Sequence, residues 1–292
     1  MARTGRIKRD GRAHYHVMSR TNGRRFLFGK GRTKAEMVGI LRRTAEFSGV
    51  RLEAFCVMDD HFHVVCEVAR PEGPVPEGEV LRRVGVLKGE RFAGRLRGRW
   101  AEMRGAGAGA AADAELDGWR RRMGDVSEFA KTFKELVSIA WKAANRNPET
   151  YCGSIWSGRF RSTLVEGGQC LAACVRYVEL NPVRAGMVTR ARDYAYSSAG
   201  EAERDEAEGP VPGGWPERRV AQVGGGVVLG SRAFVAAAVL DFGDRWRGRP
   251  SARAVGGGCW SSHGHRLARE AERKMAEERR LRGGGCYGKG WN

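Results

Sequence analysis

The chain has no two cysteines spaced C-x-x-C, and its cysteine count, 7, is odd. A disulfide framework and a structural zinc knuckle are thereby disfavoured, and a reducing cytoplasm is the expected compartment. Most of the cysteines (Cys56, Cys66, Cys152, Cys170, Cys174, Cys259 and Cys286) read as small core residues. No apolar run approaches the roughly 18 residues that a membrane-spanning helix needs, so no membrane partner is expected. The basic start, Met1-Ala2-Arg3-Thr4-Gly5-Arg6, has no apolar stretch behind it and reads as no secretory signal. Acidic residues are also scarce. Against 34 Asp and Glu stand 52 Lys and Arg, giving a net charge of +18. Such a surplus favours a polyanionic partner, because cations placed on phosphates release condensed counterions. Arginine far outnumbers lysine and glycine is abundant, so a biased genome composition accounts for part of the charge.

Histidine is scarcer still. There are 6, and all fall in three His-x-His pairs: His14/His16, His61/His63 and His263/His265. The length, 292 residues, allows one large domain or one domain with appendages.

Hydrophobic patterning places the motifs. Residues 13–19 alternate and predict a first strand, followed by a turn at Thr21-Asn22-Gly23. Residues 33–48 carry apolar side chains at helical spacing, with Thr33 as the expected cap, Glu36 three residues on, and Gly49 as the stop. Residues 51–58 and 61–68 predict two strands joined at Met58-Asp59-Asp60. In the second, Phe62, Val64, Cys66 and Val68 share one face while His61 and His63 share the other. Residues 71–125 read as an inserted, flexible connection, made of a Pro- and Gly-rich loop over 71–78, a basic, weakly helical stretch over 79–100 and the low-complexity stretch 104–112. A firm helix is predicted over 126–145, a strand over 161–165, and a helix over 168–180 that Pro182 terminates. The composition then shifts. Residues 199–225 read as a linker, and 226–292 as a basic helical extension with a disordered end.

Three groups carry chemistry. His61 and His63, at i and i+2 of one strand, project in parallel and could share a divalent cation. The bland alternative is a polar strand face. Tyr177 lies on a helix with Asn181 one turn later. Such a tyrosine is more often a packed amphipathic side chain, but the pair presents a hydroxyl and an amide on one face. The third group is basic and aromatic: Arg20, Arg24 and Arg25 after the first strand, Lys131 and Lys134 on the long helix, and Trp156, Arg159 and Arg161 around the loop before the tyrosine helix. Guanidinium groups grip phosphates and aromatic rings stack on unpaired bases, which makes these the candidate DNA contacts.

Four stretches then become recognisable: His14-Tyr15-His16-Val17-Met18-Ser19-Arg20, Val57-Met58-Asp59-Asp60-His61-Phe62-His63, Ile155-Trp156-Ser157-Gly158-Arg159-Phe160, and Tyr177-Val178-Glu179-Leu180-Asn181-Pro182-Val183-Arg184-Ala185-Gly186. In order and spacing they resemble the HUH single-tyrosine transposases, especially the REP-associated branch. Asp193-Tyr194-Ala195-Tyr196-Ser197-Ser198 fits as well, so the likeness covers roughly residues 5–198.

The resemblance implies an α+β, ferredoxin-like domain over 1–198, with a central antiparallel sheet packed by helices. It implies Tyr177 as nucleophile and His61 and His63 as ligands of Mg²⁺ or Mn²⁺. In related enzymes a polar residue one helical turn after the tyrosine completes the metal site, and here that residue is Asn181, a poorer ligand than a carboxylate. The implied substrate is single-stranded or hairpin DNA, cleaved and rejoined through a 5′-phosphotyrosine. The implied location is the nucleoid, and a homodimer is compatible with the chain. Three rivals remain at this level: a domesticated DNA-binding protein that occupies repeat hairpins without cutting, a replication or mobilisation nickase, and a nuclease using activated water.

Overall fold

The computed structural model describes residues 7–145, 153–201, 219–223, 226–231, 234 and 237. Its centre is a βαββαβ unit. Strand β1 (Arg12–Arg20) leads to helix α1 (Gly31–Ser48), then to the hairpin of β2 (Val50–Val57) and β3 (His61–Ala69). Helices α2 (Glu77–Lys88), α3 (Glu90–Gly105) and α4 (Gly109–Arg120) intervene before α5 (Val126–Ala144) and β4 (Arg161–Val165). Helix α6 (Gln169–Glu179) follows, then the short α7 (Asn181–Arg184) and the strands β5 (Arg219–Val223) and β6 (Gly226–Gly230). The strand order is β2-β3-β1-β4-β6-β5. The first four strands pair antiparallel, as the ferredoxin-like reading expects, and β6 joins β4 in parallel.

The alternation read in the sequence divides the sheet into two faces. Tyr15 and Val17 of β1, with Phe62, Val64, Cys66 and Val68 of β3, are buried in the main core with Met37 and Leu41 of α1 and Phe129, Phe133 and Val137 of α5. Asp125 caps α5, its Oδ1 accepting from the backbone N–H of Ser127 at 2.7 Å and of Glu128 at 3.1 Å. The opposite face carries the histidines. Helix α6 covers part of it, packing Cys170, Cys174 and Val178 on Ala54, Cys56, Val65 and Val165. Cys56, Cys66, Cys170 and Cys174 are free and buried, as small core residues should be.

Several expectations fail here for physical reasons. Helix α1 begins at Gly31, before Thr33, and its cap position is Lys30, with no side-chain cap. Pro182 opens α7 instead of simply ending α6, because a helix's first turn tolerates a residue without an N–H. Part of the expected linker is β5, and the expected helix from residue 226 starts as β6. The run Val227-Val228-Leu229 is apolar, with two β-branched valines, and pairs along the edge of β4. Residues beyond 237 lie outside the described residues.

The largest correction concerns 71–125. This segment is not a flexible loop. Val80, Leu81, Val84 and Leu87 line one face of α2 and meet Leu96 and Trp100 of α3, Ala112 and Leu116 of α4, and Phe47 of α1 in a separate buried cluster. Alanine is the strongest helix former, so a Gly/Ala-rich stretch with apolar residues at i and i+4 can be a helix. The chain leaves the sheet at Ala69 and returns beside it. Gly124 N–H donates to Ser48 O at 2.8 Å. Its φ is +64°, and a Cβ there would lie 2.7 Å from Pro71 Cδ and 2.9 Å from Ala69 O. Trp100 is fully buried and its Nε1 donates to Glu115 at 3.1 Å. Trp100→Ala should destabilise this cluster by about 3–5 kcal/mol. Hydrogen exchange should then accelerate over 77–120 and much less in β1–β3, and uniform acceleration would show that the helices have no independent core.

Candidate active site

Four aromatic rings converge on the exposed end of the histidine face. His63 is buried by its central strand, and His61 stands two residues away at the mouth of the β2–β3 turn, with a quarter of its side chain exposed. Their ring centroids are 5.0 Å apart and nearly perpendicular. His16 reaches the same place from β1. Its ring stacks on His63 at 5.0 Å, and its Nε2 lies 2.9 Å from His63 Nδ1 in a buried hydrogen bond. Tyr177, on α6, lies edge-on to both, 5.8 Å from His63 and 6.2 Å from His16. The tyrosine and the histidine pair, 114 residues apart from His63 to Tyr177, are thus neighbours.

Each histidine of the pair has one nitrogen held. His61 Nδ1 is 2.5 Å from Asp60 Oδ1, and His63 Nδ1 is held by His16, which leaves both Nε2 atoms as the open donors. A ligating imidazole typically has its other nitrogen fixed in this way, often by a carboxylate. The donor set therefore fits a divalent cation. Asp60 is half-buried, which raises its pKa, but the hydrogen bond and charge of His61 and the charge of Arg24 outweigh that effect and hold it below the ordinary range.

Asn181 is one turn beyond Tyr177 and is anchored to its own helix. Its Nδ2 donates to Tyr177 O at 2.9 Å and to Val178 O at 3.3 Å, so Oδ1 is the atom it could offer a metal.

Burial lowers the pKa of His16 to about 4. Burial, and then the charges of His16, His61 and Arg184, push His63 well below its ordinary value. Both are neutral at physiological pH. A depressed folded-state pKa adds stability that is fully present above the unfolded value near 6.5 and is lost as pH falls toward the folded value. For His16 this amounts to about 3 kcal/mol. Metal-free protein should lose stability between pH 6.5 and about 4, measured as the urea midpoint in EDTA. The slope should flatten in His16→Gln, and an unchanged slope would place the titration elsewhere.

The predicted DNA contacts separate into two sets. Arg20, opposite His61 across the β1–β3 pair, and Arg161, opposite Met18 across β1–β4, stand on the histidine face. Burial and then the charges of Arg24 and Arg161 lower the pKa of Arg20, which marks the three as one positive cluster. Arg24 holds φ at +54°, a left-handed conformation that a non-glycine residue rarely adopts. Arg25 and Arg159 are exposed on adjoining loops. Lys131 is exposed on α5, 3.3 Å from Glu128.

Lys134 and Trp156 are corrections. Lys134 is buried, its Nζ donating to Gly158 O at 2.6 Å. Trp156 packs edge-on against Phe62 at 5.6 Å, and its Nε1 donates to Lys134 O at 3.0 Å and Ser138 Oγ at 2.9 Å. Both serve the core on the other side of the sheet and cannot reach a nucleic acid. Spacing alone did not reveal this, because the loop before β4 folds Trp156 inward.

One participant escaped the sequence reading, and a second, His16, offers itself from the sequence as either a base or a structural residue. Arg184 places its guanidinium carbon 4.7 Å from the Tyr177 ring centre. His16 is the partner that fixes His63. The repeated His-x-His spacing hinted at His16 but did not say which pairs meet.

Part of the chain is similar to known proteins. Residues 11–96 match the family model described as "Transposase IS200 like". A solved structure described as the REP-associated tyrosine transposase bound to a REP hairpin is similar, with 15% identity, 74% of this chain and 92% of that chain covered, and a TM-score of 0.43. No curated protein matches the chain. Among the described residues no helix is long and apolar enough to cross a membrane. Residues 11–96, which carry the histidine pair, are thus similar to the IS200-like transposases.

Proposed function

We propose that the chain is a metal-dependent single-stranded DNA transesterase that cleaves and rejoins hairpin-bearing DNA through Tyr177. The observation that supports this most is the convergence of His61, His63 and Tyr177, from two distant segments, beside the Arg20/Arg24/Arg161 cluster. A polar strand face would need no tyrosine there, and a packed tyrosine would need no histidines.

The positive cluster binds the backbone phosphates and sets the scissile bond over the rings. Mg²⁺ or Mn²⁺, held by the open nitrogens of His61 and His63 with Asn181 Oδ1 as a third donor, would supply Lewis-acid stabilisation of charge on the scissile phosphate. Tyr177 Oη loses its proton and attacks phosphorus. The P–O3′ bond breaks, the 3′ oxygen takes a proton, and a 5′-phosphotyrosine remains. Attack by another 3′-hydroxyl reverses the step, so joining needs no nucleotide cofactor. Arg184, above the tyrosine ring, favours the developing phenolate by its charge. Asp60 and His16 keep the two histidines oriented.

The test is incubation of the whole chain with an end-labelled hairpin-bearing single strand drawn from the flanks of its own gene, in Mn²⁺ or Mg²⁺. The expected result is label that migrates with the protein under denaturing conditions and disappears in EDTA. Binding without adduct across metals and flanking sequences would favour the domesticated DNA-binding reading. Cleavage without adduct would favour a water-using nuclease.

A further inference from the structure

A second group of metal-ligand side chains lies on the histidine face, away from Tyr177. His14 of β1 and Glu67 of β3 sit directly opposite one another. Glu53 lies where the β2–β3 register shifts between Leu52 and Ala54, an irregularity that re-aims a side chain. One ligand atom from each of the three falls within 4.8 Å of the other two. Glu67 is buried, while His14 and Glu53 are half-buried. His14 Nδ1 is shielded from solvent without a hydrogen-bond partner, whereas Glu53 Oε1, equally shielded, faces only the guanidinium of Arg51. A shielded polar atom left unpaired is costly, and a ligand at the site would offset that cost for His14.

Two arginines neutralise the carboxylates. Arg51 Nη2 lies 2.7 Å from Glu53 Oε1 and 3.0 Å from Glu67 Oε2, and Arg12 Nη1 lies 3.5 Å from Glu67 Oε1. Both side chains are mostly exposed, 63% for Arg51 and 70% for Arg12, so either can swing into solvent. Neither satisfies His14 Nδ1.

We propose that His14, Glu53 and Glu67 bind a divalent transition-metal ion, Zn²⁺ or Mn²⁺, at a site separate from His61 and His63. One imidazole and two carboxylates suit these ions. Three ligands about 2.1 Å from one ion average at most about 3.6 Å apart, so the group contracts by up to about 1 Å as Arg51 moves out. The ion takes no part in strand cleavage. His14 is two residues along β1 from His16, roughly 7 Å at strand rise, whereas paired catalytic ions sit about 3.5–4 Å apart. Its role is to tie β1, β2 and β3 together at the irregularity of β2. The inference stands whether or not the chain cleaves DNA.

The experiment uses the full chain with His61→Ala, which disables the other site while keeping the buried His16–His63 bond. Zn²⁺ binding is followed by calorimetry, Mn²⁺ binding by electron paramagnetic resonance, and the melting temperature with each ion and with EDTA. The expected result is one retained ion per chain and a melting temperature that rises with Zn²⁺ or Mn²⁺. Adding His14→Gln, or separately Glu53→Gln, should weaken that ion by at least the roughly tenfold that loss of a ligand's mere hydrogen-bond partner costs, and should abolish the rise. The two substitutions are on different strands, and circular dichroism identifies a variant that fails to fold, leaving the other to decide. Absence of a retained ion, or a retained ion indifferent to both substitutions, overturns the proposal.

Discussion

Tyr177→Phe should yield no covalent protein–DNA adduct, with cleavage reduced by at least about four orders of magnitude, because a nucleophile has no substitute. Hairpin binding should stay close to wild type. The substitution removes one oxygen and keeps the ring that lies edge-on to His16 and His63 and beneath Arg184. The proposed phosphate grip, the cluster of Arg20, Arg24 and Arg161, is not touched by the substitution. A gel-shift titration at fixed salt, run beside the denaturing adduct assay, separates the two properties. Full adduct formation by the variant would remove Tyr177 from the nucleophile role. Loss of binding together with cleavage would make it a packing residue.

The second large effect is expected from His61→Ala, which should lower metal-dependent cleavage by roughly 10²–10³-fold, the range for loss of a transition-state stabiliser. His61 tests the metal more cleanly than His63 does. Truncating His63 would empty a buried site and leave His16 Nε2 without its partner, so folding and chemistry would fail together. His61 is partly exposed, and its one hydrogen-bond partner, Asp60, borders solvent. The cleavage rate against Mn²⁺ concentration is the measurement. The curve should move to higher metal or vanish, and a curve identical to wild type would refute ligation by His61. Asp60→Asn should shift the same curve by about 10–100-fold in metal while sparing the maximum rate, because Asp60 only orients the ligand.

These tests rest on residues that the sequence exposed unequally. The alternation in 61–68 was legible because a strand with one buried face imposes period two, and it correctly put His61 and His63 on the face opposite Phe62 and Val64. The βαββαβ order could be followed from the same periodicities. Tyr177 could be named from its motif, yet its approach to His63 depends on α6 crossing the sheet, a long-range event with no local signal. The basic residues were least legible. Arg161 and Lys134 both looked like surface cations, and only packing shows that one stands beside the site while the other is spent on Gly158 O. Arg184 went unnoticed because nothing in a run such as Asn181-Pro182-Val183-Arg184 says that α7 turns its arginine back over the tyrosine. Residues 79–100 read as weakly helical, as α2 and α3 are, because the apolar stripe survives dilution by glycine and arginine in Val80, Val84, Leu96 and Trp100, whereas α4 was masked by its low-complexity start.

Ala69 and Gly124 touch, so everything between them begins and ends at one point on the sheet. A segment attached in that way behaves as a graft. The sheet needs only a turn to cross the junction, and the cost of closing a longer excursion rises slowly, by about 0.6 kcal/mol per doubling of its length. Lineages could therefore gain, shorten or discard α2–α4 without disturbing the register that aligns His16, His61 and His63, provided that Phe47 of α1, which faces the helices, changes in step. The same junction offers a protein engineer a place to install a foreign domain beside the sheet while leaving the chemistry at its far end intact.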